Sequence, residues 1–374
     1  MLMEAPGGGL GNTSFLYSMG KMVNRIIRRL NKTTRVFLTG NMGSSYQREI
    51  PEINQEEIAE AKDFFPMEKF FIFGHARSGT TLLTRLVRLH PDVHCNYQAH
   101  FFTRPPLLEG LVTDEEVGKW LTRSSNRWNR KRDLSPVVMR AVSDFILERD
   151  ARREGKKIVG DKSPNNLMNG VAVEKLYKIY PDAYLIFMVR DGRDAILSHR
   201  IQTFIDNPHK LVDEDRKILQ SFAQDSEPYL SGQRSLFTQD GITRAAKGWA
   251  DNVFETDSIG RQLYGERYLS LRFEDLLSRP WEEMARLWSF LGVGTDIPGL
   301  QEILIGEMAR NPDADWQREK ADDLTQSLTK GRHGSWREIF TEKDIRIFNQ
   351  IAGDTLKSWN YELEVTKEIG GVSV

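Results

Sequence analysis

The sequence predicts an α/β fold, a P-loop-type parallel sheet with helices on both faces. Two observations carry this. In FFIFGHARSGTTLLTRLVRLHP (Phe70 to Pro91), the apolar run Phe70 to Phe73 stops at Gly74, Gly79 follows, and apolar residues then recur at Leu82, Leu83, Leu86, Val87 and Leu89. That is a buried strand, a glycine-flanked loop and a helix. Further on, AYLIFMV (Ala183 to Val189) is a continuous apolar strand between helical patterns at Val171 to Pro181 and Asp194 to Ile205. Continuous apolar strands alternating with amphipathic helices suit a parallel sheet that is buried on both sides.

The other elements follow in order. Helices are expected around Glu115 to Arg123 and Pro136 to Arg149, and KKIVG (Lys156 to Gly160) reads as a short strand. YLSLRF (Tyr268 to Phe273) is a further strand, and Pro280 stands in the first turn of a helix running to Leu291, where proline is tolerated. The polar segments His209 to Gly241 and Asn311 to Lys330 are expected to be irregular covers over a site. Residues 67–366 form the main domain, between an N-terminal extension at 1–66 and a tail at 367–374. Within the extension, Phe15 to Leu30 is a basic amphipathic helix that either docks on the main domain or contacts a membrane surface or partner. Asn31 to Pro66 is expected to be a loosely structured lead-in.

Bulk composition bounds the partners. The chain of 374 residues is 39% hydrophobic and 28% charged, which is ordinary for a globular protein with a large core. Lys plus Arg at 52 against Asp plus Glu at 53 leaves a net charge of −1, so no nucleic acid partner is expected and any anion site is local. Cys95 is the only cysteine, which excludes an internal disulfide and a cysteine metal cage. No stretch approaches the ~20 apolar residues of a membrane span, and the N-terminus lacks the pattern of a signal peptide. A cytoplasmic location is the expectation.

The loop raises the chemical question. The triphosphate version is G-x-x-x-x-G-K-[ST], and here Thr80 stands where the lysine belongs. The backbone N–H groups at a helix N-terminus still form an anion nest, and Arg77, Ser78, Thr80 and Thr81 add a guanidinium and three hydroxyls. Capping hydroxyls at an ordinary strand-to-helix turn would look the same. In YLIFMVRDGRDAILSHR, Arg190 ends a buried strand, and Ser198 lies on the following helix. A charged residue closing such a strand points out at the carboxyl edge, where open α/β sheets bind ligands, although a surface ion-pair cluster is the alternative. Near the C-terminus, LTKGRHGSWREIFT places Lys330, Arg332 and His333 around Gly331 and Gly334, a basic loop or a solvated turn.

Taken together, these stretches resemble the family of PAPS-dependent sulfotransferases, whose donor is 3′-phosphoadenosine 5′-phosphosulfate. RSGTT (Arg77 to Thr81) is similar to the family's 5′-phosphosulfate loop, and Arg190 with Ser198 matches its 3′-phosphate motif, R-x₇-S. KGRHGSWREIFT is similar to its C-terminal R-K-G-x-x-G-x-W-K-x-x-F-T segment, with Thr329 in place of the first basic residue, and YLSLRFEDL resembles another family stretch. The resemblance covers roughly Phe70 to Glu364 and implies a sulfotransferase-like fold, with Arg77, Ser78, Gly79, Thr80, Thr81, Arg190, Ser198, Lys330, Gly331 and Arg332 binding the donor. It implies PAPS as donor, PAP as product and no metal, because there is no γ-phosphate for the missing lysine to clamp.

The same resemblance implies in-line transfer of a sulfuryl group to a hydroxyl or amine. Lys162 in VGDKSPNN is the expected partner of the leaving oxygen, since D-K-S-P is similar to the family's E-K-[ST]-P. His100 is the expected base, with Asp161 in reserve. Tyrosylprotein sulfotransferases show a glutamate where the resemblance places Gln98, an amide that cannot serve as a base, so either His100 has taken that role or the alignment slips by two. The acceptor pocket is expected to draw on Asn96 to Pro106, the segment Trp120 to Arg132 and the cover from Ile201 to Gly241. Phe101, Phe102, Trp120 and Trp128 would supply apolar surface or core, for a small-molecule or glycan-type acceptor. A P-loop kinase or nucleotidase, and a non-catalytic PAP-binding module, are the competing readings.

Overall fold

A computed structural model describes residues 48–310, apart from 124 and 126, and residues 334–363. The N-terminal helical pattern at 15–30, the cover at 311–330 and the basic residues Lys330, Gly331 and Arg332 lie outside the described residues.

A five-stranded, all-parallel sheet forms the centre, in the order β2-β3-β1-β4-β5. The strands are β1 (Glu68–Gly74), β2 (Val93–Tyr97), β3 (Ile158–Lys162), β4 (Tyr184–Val189) and β5 (Tyr268–Arg272). Register aligns Ile72 with Lys162, Gly74 with Met188, and Val189 with Arg272, so all carboxyl ends emerge on one rim. Phe70 and Ile72 face one layer and Phe71 and Phe73 the other, as period-two geometry requires. All four are at most 1% exposed, and each such burial contributes roughly 1.5–3 kcal/mol.

The layer under Phe70 and Ile72 contains the helices at Thr80–Val87 and Pro280–Phe290. The opposite, larger layer contains those at Ser135–Arg153, Gly170–Ile179, Gln239–Tyr264 and Glu342–Ser358. In chain order, the helices used below are α1 (Gln55–Phe64), α2 (Thr80–Val87), α3 (Ser135–Arg153), α4 (Gly170–Ile179), α5 (Gly192–Asp206), α6 (Gln239–Tyr264) and α7 (Phe273–Ser278).

Several elements differ from the sequence-based expectation. The lead-in contains α1, which has a full capping box between Asn54 and Glu57, and Ile53, Ile58 and Ala61 are buried. β2 reads as polar because His94 and Asn96 alternate with apolar residues, yet His94 is buried against Glu154 (2.9 Å). The expected irregular cover at 209–241 contains a helix, Asp213–Gln224, and α6 begins at its end. In α6, Ile242, Ala246, Trp249 and Val253 keep helical spacing, but buried Asn252, Thr256 and Gly260 dilute the apolar signal.

Candidate nucleotide and active site

The loop between β1 and α2 is built for close approach. Gly79 is the N-cap of α2, with φ at +85°, and no side chain caps the helix. Its first-turn N–H groups are therefore open to an anion. A Cβ at Gly79 would lie 2.2 Å from the Phe273 ring. Ser78 is fully buried, and its Oγ has no hydrogen-bond partner among the described residues. A buried hydroxyl without a partner costs free energy, and a bound phosphosulfate oxygen would remove that cost. The residues present thus fit the anionic end of a nucleotide donor.

Arg77 takes a left-handed φ of 70°, uncommon for a residue with a side chain. Its conformation is held from β4 and α5. Arg190 Nη1 donates to the Arg77 carbonyl at 3.0 Å, and Arg77 Nε donates to Ser198 Oγ at 3.1 Å. The structure therefore brings Arg77, Arg190 and Ser198 together at one corner. The Arg190 guanidinium sits over the Phe273 ring, 4.8 Å from its centroid. Glu274 accepts from the Asp191 backbone N–H at 3.0 Å and from Tyr361 Oη at 2.7 Å.

The C-terminal segment meets the same helix. Asp194, in the first turn of α5, accepts from the backbone N–H groups of Gly334 (2.5 Å) and Trp336 (3.2 Å). Arg193 stacks over Trp336 at 3.7 Å. The described end of the basic segment is therefore moored to the helix that carries Ser198.

Lys162, the last residue of β3, is 1% exposed, with Nζ 3.3 Å from Thr81 Oγ1 and 5.5 Å from the Tyr97 ring centroid. His100 lies after β2, and its Nδ1 is 2.6 Å from Thr103 Oγ1. In the tautomer whose Nδ1–H donates to that hydroxyl, Nε2 keeps its lone pair. Partial burial, then the charges of Arg104 and Lys162, lower the His100 pKa to about 4. The imidazole is therefore neutral at physiological pH.

Asp161 is a poorer base by geometry. It is 2% exposed, and its two oxygens accept from the Ala99 N–H (3.0 Å) and the Ser163 hydroxyl (2.5 Å). Phe101 and Phe102 belong to the core, packed edge to face with each other, and Phe102 also meets Tyr180. Trp120 and Trp128 form an exposed stacked pair with centroids 4.7 Å apart.

Phe273, Asp194 and Thr103 lie in segments that the sequence assigns to a strand, a helix and the acceptor side, but their contacts with Arg190, the Gly334–Trp336 backbone and His100 carry no sequence signal. Phe273 stands one residue past a strand end, a position that signals the rim, but an apolar residue there gives no chemical cue.

The profile of the sulfotransferase family matches residues 69–296. The chain is similar to protein-tyrosine sulfotransferase 2 of Gallus gallus, 23% identical over 291 residues, 77% of this chain and 64% of that protein. It is also similar to the protein-tyrosine sulfotransferase of Drosophila melanogaster, 31% identical over 228 residues, 61% of this chain and 38% of that protein. The chain thus spans less than two-thirds of the length of these curated relatives. Among solved structures it is similar to the sulfotransferase domain from the Synechococcus PCC 7002 olefin synthase, at 16% identity and a TM-score of 0.45, covering 86% of this chain and all of that one. With the profile matched across more than half its length, the chain belongs to the sulfotransferase family.

Proposed function

We propose that this protein transfers the sulfuryl group of PAPS to an acceptor hydroxyl by in-line displacement. The carrying observation is the contact of Arg77 with both Arg190 and Ser198, which joins the open N-terminus of α2 to the end of β4. One bisphosphorylated nucleotide then spans both, with its 5′-phosphosulfate at Ser78, Gly79, Thr80 and Thr81 and its 3′-phosphate at Arg190 and Ser198. The segment anchored on Asp194 supports a further contribution from Lys330, Gly331 and Arg332.

In this reading the acceptor oxygen forms a bond to sulfur while the bond from sulfur to the 5′-phosphate oxygen breaks. His100 Nε2 takes the acceptor proton, and Lys162 offsets charge on the departing oxygen. The donor's anionic groups also offset Lys162, which relieves one cause of the low His100 pKa and strengthens the base when donor is bound. A tyrosyl phenol is the first acceptor to test, because the relatives carry that name.

The test is to incubate the protein with labelled PAPS, without added metal, and a panel of tyrosyl peptides, simple phenols and sugars. Label should move to one acceptor class. Turnover that requires ATP and Mg²⁺ would favour the kinase reading, and tight PAP binding without transfer would favour a binding module.

A further inference from the structure

Three consecutive backbone N–H groups after β2 are each taken by the end of β3. Gln98 N donates to the Lys162 carbonyl at 2.7 Å, Ala99 N to Asp161 Oδ1 at 3.0 Å, and His100 N to Ser163 Oγ at 3.0 Å. The Ser163 hydroxyl in turn donates to Asp161 Oδ2 at 2.5 Å. Gln98 and His100 have φ of 55° and 52°, a region that side-chain-bearing residues rarely occupy. Strain of this kind persists only where surrounding contacts over-determine it.

Asp161 is a costly way to hold a turn. Burial raises its carboxyl to about 6, against the opposing effects of Ser163, Ala99 and Lys162. A carboxyl raised above its unfolded value weakens the fold wherever it is ionised, so at neutral pH its charge costs stability. What the carboxylate supplies is two acceptors at fixed positions. Lys162 stands between Asp161 and Ser163, and its own carbonyl is the third acceptor.

We propose that Asp161 and Ser163 are positioning residues that clamp the Gln98–Ala99–His100 turn and aim the His100 imidazole at the rim beside Lys162. One D-K-S string then sets both the proton acceptor and the cation against the same reacting centre. The inference rests on the reading of His100 as the base.

The test measures release of PAP from PAPS, with water as acceptor where none is added, alongside the PAP dissociation constant. D161A should lower kcat about 100-fold, the loss expected from a misplacement near 1 Å, and S163A about tenfold. PAP affinity should stay within about twofold of wild type, since neither residue is assigned to the donor. D161N, which retains one acceptor oxygen, and S163T, which retains the hydroxyl, should recover most of the rate. In an H100A background, S163A should cost nothing further, because the clamp acts through His100. Additive losses in H100A/S163A, or S163A turnover equal to wild type, would overturn the clamp. H100A turning over at the wild-type rate would instead sink the reading of His100 as base. S163A, a one-atom deletion, keeps the test open should D161A fail to fold.

Discussion

Arg77 Nε donates a hydrogen bond to Ser198 Oγ at 3.1 Å, joining two motifs 121 residues apart in the chain. The phosphate loop and the Arg190–Ser198 motif are therefore one corner of the molecule, with Phe273 packed beneath Arg190 and against Gly79.

That corner separates binding from chemistry. Arg190→Ala is expected to weaken PAP binding by about 2–3 kcal/mol, as for loss of charge-assisted hydrogen bonds to a phosphate. His100→Ala should leave PAP affinity largely intact and lower turnover by about 10²–10⁴-fold. Calorimetry and a turnover assay on both variants check this. Equal loss of affinity in the two would contradict the assignment.

The charge state of His100 should report donor binding. In the free protein its pKa of about 4 reflects burial and then the cations Arg104 and Lys162. A bound bisphosphate offsets those cations and favours the imidazolium, so the pKa should rise. NMR titration of the His100 ring with and without PAP measures the shift. A downward move, or none, would count against an anion beside Lys162.

Gly79 should tolerate no side chain. Gly79→Ala meets both a positive φ and the Phe273 ring at 2.2 Å, and is expected to cost about 1–3 kcal/mol or more. Combining it with Phe273→Ala removes the collision but not the backbone strain, so stability should recover only in part. Denaturant melts of the single and double variants give the comparison.

His75, which follows β1, gives the fold a pH signature. Burial pushes its imidazole down to about 4, with the bond to the Ala76 carbonyl opposing and His199 assisting. Its unfolded value is near 6.5, so the unfolded chain binds more protons between these limits. The stability it contributes is complete above pH 6.5 and is lost as pH falls through about 4, on the order of 3 kcal/mol in all. His75→Asn should flatten the stability slope across that window. An unchanged slope would refute the burial argument.

The motifs that were legible share a local cause. Phe70 to Gly79 and Ala183 to Arg190 announce themselves because a buried parallel strand must be continuously apolar and the rim residue after it must not be. β2 and α6 carry no clear local signal, because His94 and Asn96 make β2 half polar and buried Asn252 and Thr256 interrupt the apolar stripe of α6.

The sequence by itself determined the strand–loop–helix unit, the missing lysine and the chemical types at Arg77, Lys162 and Arg190, since each follows from residues close in the chain. Only the tertiary structure decided that Ser198 meets Arg77, that Phe273 floors both, and that Asp161 is spent on the turn carrying His100. Those contacts join segments far apart in sequence, and their partners are selected by sheet order and register, which no local pattern encodes.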